Sequence, residues 1–189
     1  LGIIGCNGAG KSTLLKILSR VTAPTTGEVR VDGRIVSLLE VGTGFHPELT
    51  GRENVYVSAA IMGMPKVEVD SKLDSIIAFS GLEEFMDMPV RNYSSGMYVR
   101  LGFSIAIHVQ PDVLIMDEVL AVGDMAFRAQ CYQAIDDLRK RCAIIFVSHN
   151  MESSESICPN AALMSKGKII GEGSSRDIIN QYLHQEQIE

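Results

Sequence analysis

Residues Gly5–Ser12 read GCNGAGKS, which meets G-x-x-x-x-G-K-[ST] at every fixed position. That spacing suits one kind of chemistry. Phosphate oxygens need donors at close range, and glycines let the backbone turn so that successive N–H groups point inward. A helix starting near Lys11 adds the positive end of its dipole. Lys11 is placed to reach the β- and γ-phosphates of a nucleotide, and Ser12 to ligate Mg²⁺. Cys6 occupies a variable position of the loop and contributes backbone rather than thiol chemistry.

Two further sites of chemistry follow apolar runs. Val113–Glu118 reads VLIMDE, so a buried strand ends in two carboxylates. Asp117 is expected to support Mg²⁺, and Glu118 to accept a proton from, or orient, an attacking water. Standing alone, an Asp-Glu pair is more often a solvated turn; the apolar run before it and the phosphate loop favour the functional reading. Ala143–Val147 leads in the same way to Ser148-His149. That places His149 on the same sheet edge, where it can donate to a γ-phosphate oxygen and sense its loss. His46, His108 and His184 lack such placement and read as structural.

The elements that must hold these residues can be read from periodicity and turn chemistry. Leu1–Gly5 reads as a short strand and Lys11–Arg20 as a helix. Glu28–Asp32 and Ile35–Glu40 read as strands joined at Asp32-Gly33, a hairpin signal. Gly51–Gly63, Val67–Ser80 and Ser95–Gln110 read as helices, the third stopped by Pro111. After Pro111, strand and helix alternate again: Val113–Met116, the amphipathic Met125–Arg141, then Ala143–Val147. Two short strands follow, Ala161–Met164 and Lys168–Gly171, around a turn at Lys166-Gly167. Ser174 with Asp177 resembles a capping box before a last helix. Buried strands alternating with helices imply an α/β fold with a mostly parallel sheet covered on both faces. The helical stretch before Pro111 would be an inserted subdomain.

The chain has 189 residues, enough for one ordinary domain with a real core. Apolar residues make up 46% and charged residues 21%, which excludes a disordered chain. Lys plus Arg number 17 against 23 Asp plus Glu, a formal net charge of −6 that argues against a nucleic-acid partner. No apolar run approaches the ~18–20 residues of a membrane helix. The cysteines Cys6, Cys131, Cys142 and Cys158 form no CxxC pair, so reduced thiols are expected rather than a disulfide framework or zinc site. The chain opens at Leu1 with a strand already under way, as if its start were cut.

Four features now stand in order: GCNGAGKST at Gly5–Thr13, NYSSGM at Asn92–Met97, VLIMDE at Val113–Glu118 and VSHNM at Val147–Met151. This order resembles the ATP-binding cassette (ABC) ATPases, and the resemblance covers nearly the whole chain. It implies a P-loop NTPase fold with a small β part over residues 1–189. A helical subdomain would lie at about 46–110 and a C-terminal helix at about 175–187. The family's N-terminal strands and adenine-stacking aromatic residue are not among these residues. The cofactors implied are ATP and Mg²⁺. Nucleotide contacts would come from Gly5, Cys6, Asn7, Gly8, Ala9, Gly10, Lys11, Ser12 and Thr13, metal contacts from Ser12 and Asp117, and catalysis from Glu118 and His149.

The family signature LSGGQ corresponds to Tyr93, Ser94, Ser95, Gly96 and Met97. In the family it opens a helix whose N-terminus binds the γ-phosphate held by the other subunit, which implies a head-to-tail homodimer using Ser94, Ser95 and Gly96. Ser95 replaces the first Gly and Met97 the Gln. The Gln usual at the entry to the helical subdomain is missing as well; by position Glu40 is the nearest polar substitute. The loop around Phe45–Thr50 is suited to touching a partner.

YSSGM, DEVLAVGD at Asp117–Asp124 and GTGFHPELTGREN resemble the branch that exports polysaccharide, O-antigen or teichoic acid from bacteria. Asp124 then matches the aspartate that communicates between the two dimer sites. The implied partner is a membrane permease, with the ATPase peripheral on the cytoplasmic face. The alternatives are a non-transport ATPase of the same class, or a nucleotide-binding scaffold with a decayed site. The first would need basic surface or a second cassette, and the second is opposed by intact Lys11, Asp117, Glu118 and His149. Glu118→Gln is expected to lower turnover by about 10²- to 10⁴-fold while ATP still binds; near-normal phosphate release by that variant would remove Glu118 from the role.

Overall fold

Short apolar strands buried on both faces can pair in parallel only if helices cross over between them. A computed structural model describes residues 1–38, 42, 44–117, 124–147 and 151–186 of the chain. Its first half contains β1 (Gly2–Ile4), α1 (Lys11–Leu18), β2 (Ile35–Ser37), α2 (Gly51–Ile61), α3 (Lys66–Ser80) and α4 (Ser95–His108). Then come β3 (Val113–Asp117), α5 (Met125–Leu138), β4 (Ala143–Val147), α6 (Met151–Ile157), β5 (Asn160–Ser165), β6 (Lys168–Ser174) and α7 (Ser175–Glu186).

The described strands form one sheet in the order β2-β3-β4-β1-β5-β6. All neighbours are parallel except β5 and β6. The α/β class and the mostly parallel sheet agree with the sequence reading.

The period-2 alternation divides each strand between two helical layers. Ile3, Ile115, Val147, Ala162 and Met164 pack with Leu15 of α1 on one face. On the other face Leu114, Met116, Ile144 and Phe146 pack with α4 and α5 through Phe103, Ile105, Phe127 and Ile135. Ile4, Ala161 and Leu163 meet Ile178 and Ile179 of α7 on that side as well. Burial on both faces explains why these strands read as continuous apolar runs rather than alternating ones.

The hairpin expected at Asp32-Gly33 does not form. Glu28–Asp32 is not a strand, and β2 pairs in parallel with β3 instead. Gly33 does adopt a positive φ of 101°. The turn serves a different contact: Arg34 N donates to Asp112 Oδ2 at 2.6 Å, and Asp112 N donates back to Arg34 O at 2.9 Å. This sets β2 beside the start of β3. The Asp-Gly pair thus foretold the backbone conformation, but not the strand partner. The two-residue turn at Lys166-Gly167 is a true hairpin, with φ of 47° and 77° and Ser165 paired to Lys168, as a type I′ turn requires.

Other boundaries shift modestly. Two short 3₁₀ turns, Glu83–Phe85 and Val90–Asn92, link α3 to α4. The expected capping box at α7 is present, with Ser174 Oγ donating to Asp177 Oδ2 and accepting from Asp177 N. On that helix Ile178 and Ile179 are buried while Leu183 is exposed. Helix α6 was not anticipated. No helix among the described residues is long and apolar enough to cross a membrane.

One side chain gathers the backbone of residues 46–50. Asn54 of α2 is fully buried; its Nδ2 donates to the carbonyls of His46, Leu49 and Thr50, and its Oδ1 accepts from His46 N at 2.7 Å. Thr50 and Glu53 add a capping box at the same helix start. One turn further on, Ser58 Oγ is buried with no hydrogen-bond partner among the described residues. Asn54→Ala should therefore cost about 2–3 kcal/mol, because it strands buried polar groups, whereas Ser58→Ala should lie within about 0.5 kcal/mol of the parent or above it. Urea denaturation of the two variants measures the contrast.

Candidate functional site

The site begins at the carboxyl end of β1. Gly5 follows Ile4 and lies so close to β5 that a Cβ there would stand 2.2 Å from the Met164 carbonyl oxygen. Only glycine lets the chain leave the sheet at this point. The loop then turns through Gly8 and Gly10, whose φ values are 80° and 103°. Gly10 is the N-cap of α1 and has no side chain with which to cap it. By contrast, α2, α4 and α5 are capped by Thr50, Ser94 and Asp124. The first-turn N–H groups of α1 thus face the loop's concavity without competition from a capping side chain, which is the arrangement an anion needs.

Lys11 is 7% exposed, and its Nζ donates to Gly5 O at 2.5 Å and Cys6 O at 2.9 Å. Two of its three N–H donors close the loop on itself, leaving one for an incoming acceptor. From outside, Gly167 N donates to Ala9 O at 2.8 Å, so the β5–β6 turn buttresses the loop. Sequence reasoning found that turn but not its contact with the loop.

Asn7, Gly8, Ala9, Gly10, Lys11, Ser12, Thr13, Asp117 and Val147 line one cleft of about 310 Å³. The structure thus brings Asp117 to the phosphate loop. The reason lies in the sheet: Val147 of β4 pairs with Asp117 on one side and with Ile3 on the other. By strand alternation Asp117 shares the face of Val113 and Ile115, which belong to the cluster beneath α1. The carboxylate is therefore on the same face as Ser12. Gly5 and Cys6 do not line the cleft themselves; their carbonyls hold Lys11. Glu118, His149 and Glu40 lie outside the described residues.

Ser94, Ser95 and Gly96 open α4 and are not part of the cleft lining. Ser94 Oγ accepts from Met97 N at 3.2 Å, and its hydroxyl proton can still be donated. Ser94 and Ser95 are exposed, while Met97 and Tyr98 turn inward against the core. The Tyr98 ring meets Phe45 edge-on, with centroids 4.7 Å apart. Phe45 is thereby buried, so the exposed part of the 45–50 loop is His46, Pro47 and Glu48.

Of the histidines outside the site, His108 is half-buried at the end of α4 with Nδ1 2.6 Å from Ser104 O, and burial lowers its pKa. Among the described residues no three His, Cys, Asp or Glu side chains form a metal cluster.

A parallel sheet with a phosphate loop after β1, a helix behind it and a carboxylate at the end of a neighbouring strand makes the α/β fold of the P-loop nucleoside triphosphatases. Within that class the chain belongs to the ABC transporter family, whose model matches residues 1–121. It is 51% identical over 183 residues to the O-antigen export system ATP-binding protein RfbB of Klebsiella pneumoniae, covering 96% of this chain and 74% of that protein. It is 43% identical over 183 residues to the teichoic acids export ATP-binding protein TagH of Enterococcus faecalis, covering 96% of this chain but 41% of that one.

Solved structures agree in fold. An ATP-binding subunit of an ABC transporter superposes with a TM-score of 0.83 at 22% identity, over 96% of this chain and 80% of the other. An ATP-binding cassette in a dimeric post-hydrolysis state with ADP and Pi gives 0.74 at 21%, over 93% and 84%.

The cysteines offer a direct probe of the loop. Cys6 is exposed, whereas burial pushes the Cys131 thiol up to about 12 and raises Cys142 and Cys158 as well. Thiolate is the reactive form, so at neutral pH a maleimide should modify Cys6 first. Mass spectrometry follows the order of labelling; modification of Cys131, Cys142 or Cys158 ahead of Cys6 would contradict it.

Proposed function

We propose that the chain is the ATP-hydrolysing subunit of a bacterial ABC exporter of cell-surface polysaccharide, whether O-antigen, capsule or teichoic acid. One observation carries this reading: the phosphate loop, Ser12 and Asp117 line a single cleft in a chain that shares half its residues with an O-antigen export ATP-binding protein.

The roles in this reading are those the motifs imply, and the cleft that joins the phosphate loop to Ser12 and Asp117 supports them. Backbone N–H groups from Gly8 to Thr13 hold the β- and γ-phosphates at the start of α1. Lys11 adds its third N–H and its charge. Ser12 and Asp117 supply a hydroxyl and a carboxylate, hard oxygen donors that suit Mg²⁺, an ion that usually takes one or two protein ligands and completes its shell with phosphate and water. When bound, the ion neutralises charge on the phosphates. Glu118, the residue after Asp117, orients the attacking water or accepts its proton, and His149 donates to the γ-phosphate.

Ser94 and Ser95 are exposed and, with Gly96, lie outside the cleft lining, so within this reading they complete the site of a second copy. That supports a head-to-tail homodimer with one ATP at each interface. Closure on ATP and reopening after hydrolysis move the helices α2–α4. Residues 46–48 present a surface for a membrane permease, with the ATPase peripheral on the cytoplasmic face.

Lys11→Ala removes the charge and the staple on the Gly5 and Cys6 carbonyls together. A charge-assisted hydrogen bond contributes about 1.5–3 kcal/mol, so ATP affinity should fall roughly ten- to a hundred-fold. Nucleotide titration of the variant, with its melting temperature as a control for folding, measures this; unchanged affinity would exclude the loop as the phosphate site.

A further inference from the structure

Residues 109–112 join α4 to β3, and the joint is strained. Pro111 disfavours the helical conformation at the residue before it. Gln110 takes a positive φ of 54°, which is costly for a residue with a side chain. Arg34, just before β2, holds the chain on both sides of Gln110. Its Nη1 donates to Val109 O at 2.7 Å, and its main-chain carbonyl accepts from Asp112 N at 2.9 Å. Asp112 returns the contact, its Oδ2 accepting from Arg34 N at 2.6 Å. Glu68 of α3 stands 3.5 Å from Arg34 Nη1 and 2.7 Å from Lys72 Nζ, and Lys72 donates in turn to His108 O at 2.9 Å.

The side chains of Arg34, Glu68 and Lys72 are only 31%, 23% and 20% accessible, so solvent screens them less than an open surface pair. The hydrogen bond from Lys72 lowers the Glu68 pKa, which keeps the carboxylate ionised at neutral pH. One guanidinium thus ties the sheet, α3 and the end of α4 together. The position of the tie gives it leverage. Helix α4 runs 14 residues, so its first turn lies about 20 Å from the joint. A tilt of about 3° at the joint moves that turn by about 1 Å. Strand β3 leaves the same joint within the sheet and ends at Asp117. The angle between α4 and β3 therefore decides where Ser94, Ser95 and Gly96 stand relative to Asp117.

We infer that Arg34 is a positioning residue that locks the α4–β3 joint and so sets the angle between α4 and the sheet. Its effect on hydrolysis rests on the proposed function, in which the first turn of α4 meets the nucleotide of a second copy. A displacement of about 1 Å there can cost about 10²-fold in rate. Arg34, Glu68 and Lys72 do not line the cleft, so loss of the lock leaves the phosphate loop itself unchanged.

The test uses the complete protein with genetically encoded spin labels at two exposed positions, Asn92 just before α4 and Lys168 on β6. Arg34→Ala should broaden the distance distribution between them by about 2 Å, the sweep of about 6° of tilt. In the assembly with its partner subunits, the same substitution should lower kcat by about ten- to a hundred-fold. ATP affinity should stay at the parent value. Arg34→Lys keeps the charge but not the planar fork, so it should show both effects to a smaller degree. It carries the test if the alanine variant does not fold. Distances of parent width, a parent kcat, or an ATP affinity that falls in step with kcat would each overturn the inference. A parent assembly that does not hydrolyse ATP would instead overturn the proposed function, and the label distances would still decide whether Arg34 locks the joint.

Discussion

The register of β4 is the constraint on which the rest of the structure depends. Val147 pairs with Asp117 on one side and Ile3 on the other, so three strands end in line at one edge of the sheet. The apolar partition enforces it. Val113 and Ile115 lie over α1, while Leu114 and Met116 lie under α4 and α5. A slip of one residue would exchange the two sets between helical layers of different shape. It would also carry Asp117 from the face of Ser12 to the opposite one. Core packing and site assembly are thus the same constraint, and no separate device is needed to bring the carboxylate to the phosphate loop.

What could be read from the sequence follows from how local the physics is. The phosphate loop was legible because backbone conformation alone makes it, and glycines at Gly5, Gly8 and Gly10 declare that conformation. Asp117 was legible because a five-residue apolar run has few places to end in an α/β sheet. Asp32-Gly33 misled because a turn signal says how the backbone bends, not which strand will accept it; β3 claimed β2 through Asp112 and Arg34. Helix α6 was missed because MESSESI has little apolar periodicity, and its Ser and Glu residues read equally well as loop. The role of Asn54 rests on four hydrogen bonds to backbone groups, which no spacing rule reveals.

Charge is a second case where the local and the global diverge. The chain carries a formal −6, yet the cleft reads as an anion site. Among the described residues, acidic side chains sit in exposed pairs such as Glu48 with Arg91 or Asp137 with Lys140, which solvent and salt screen within about 8 Å. At the loop the field comes from oriented N–H groups, the start of α1 and one buried ammonium, none of which the net charge registers strongly. Overall acidity therefore opposes a polyanion spread across the surface and leaves a triphosphate in the loop unopposed.

Helix α4 unites these themes. Its last carbonyls, which no later turn can satisfy, are met by cations from other elements: Lys72 Nζ donates to His108 O at 2.9 Å, and Arg34 Nη1 donates to Val109 O at 2.7 Å. Glu68 lies within 3.5 Å of both cations and holds them in place. Near the other end, Arg100 fixes the helix to α3 and α5. The helix is thus tied to neighbouring elements near both of its ends. Met97, in the first turn of the helix, packs against the same core.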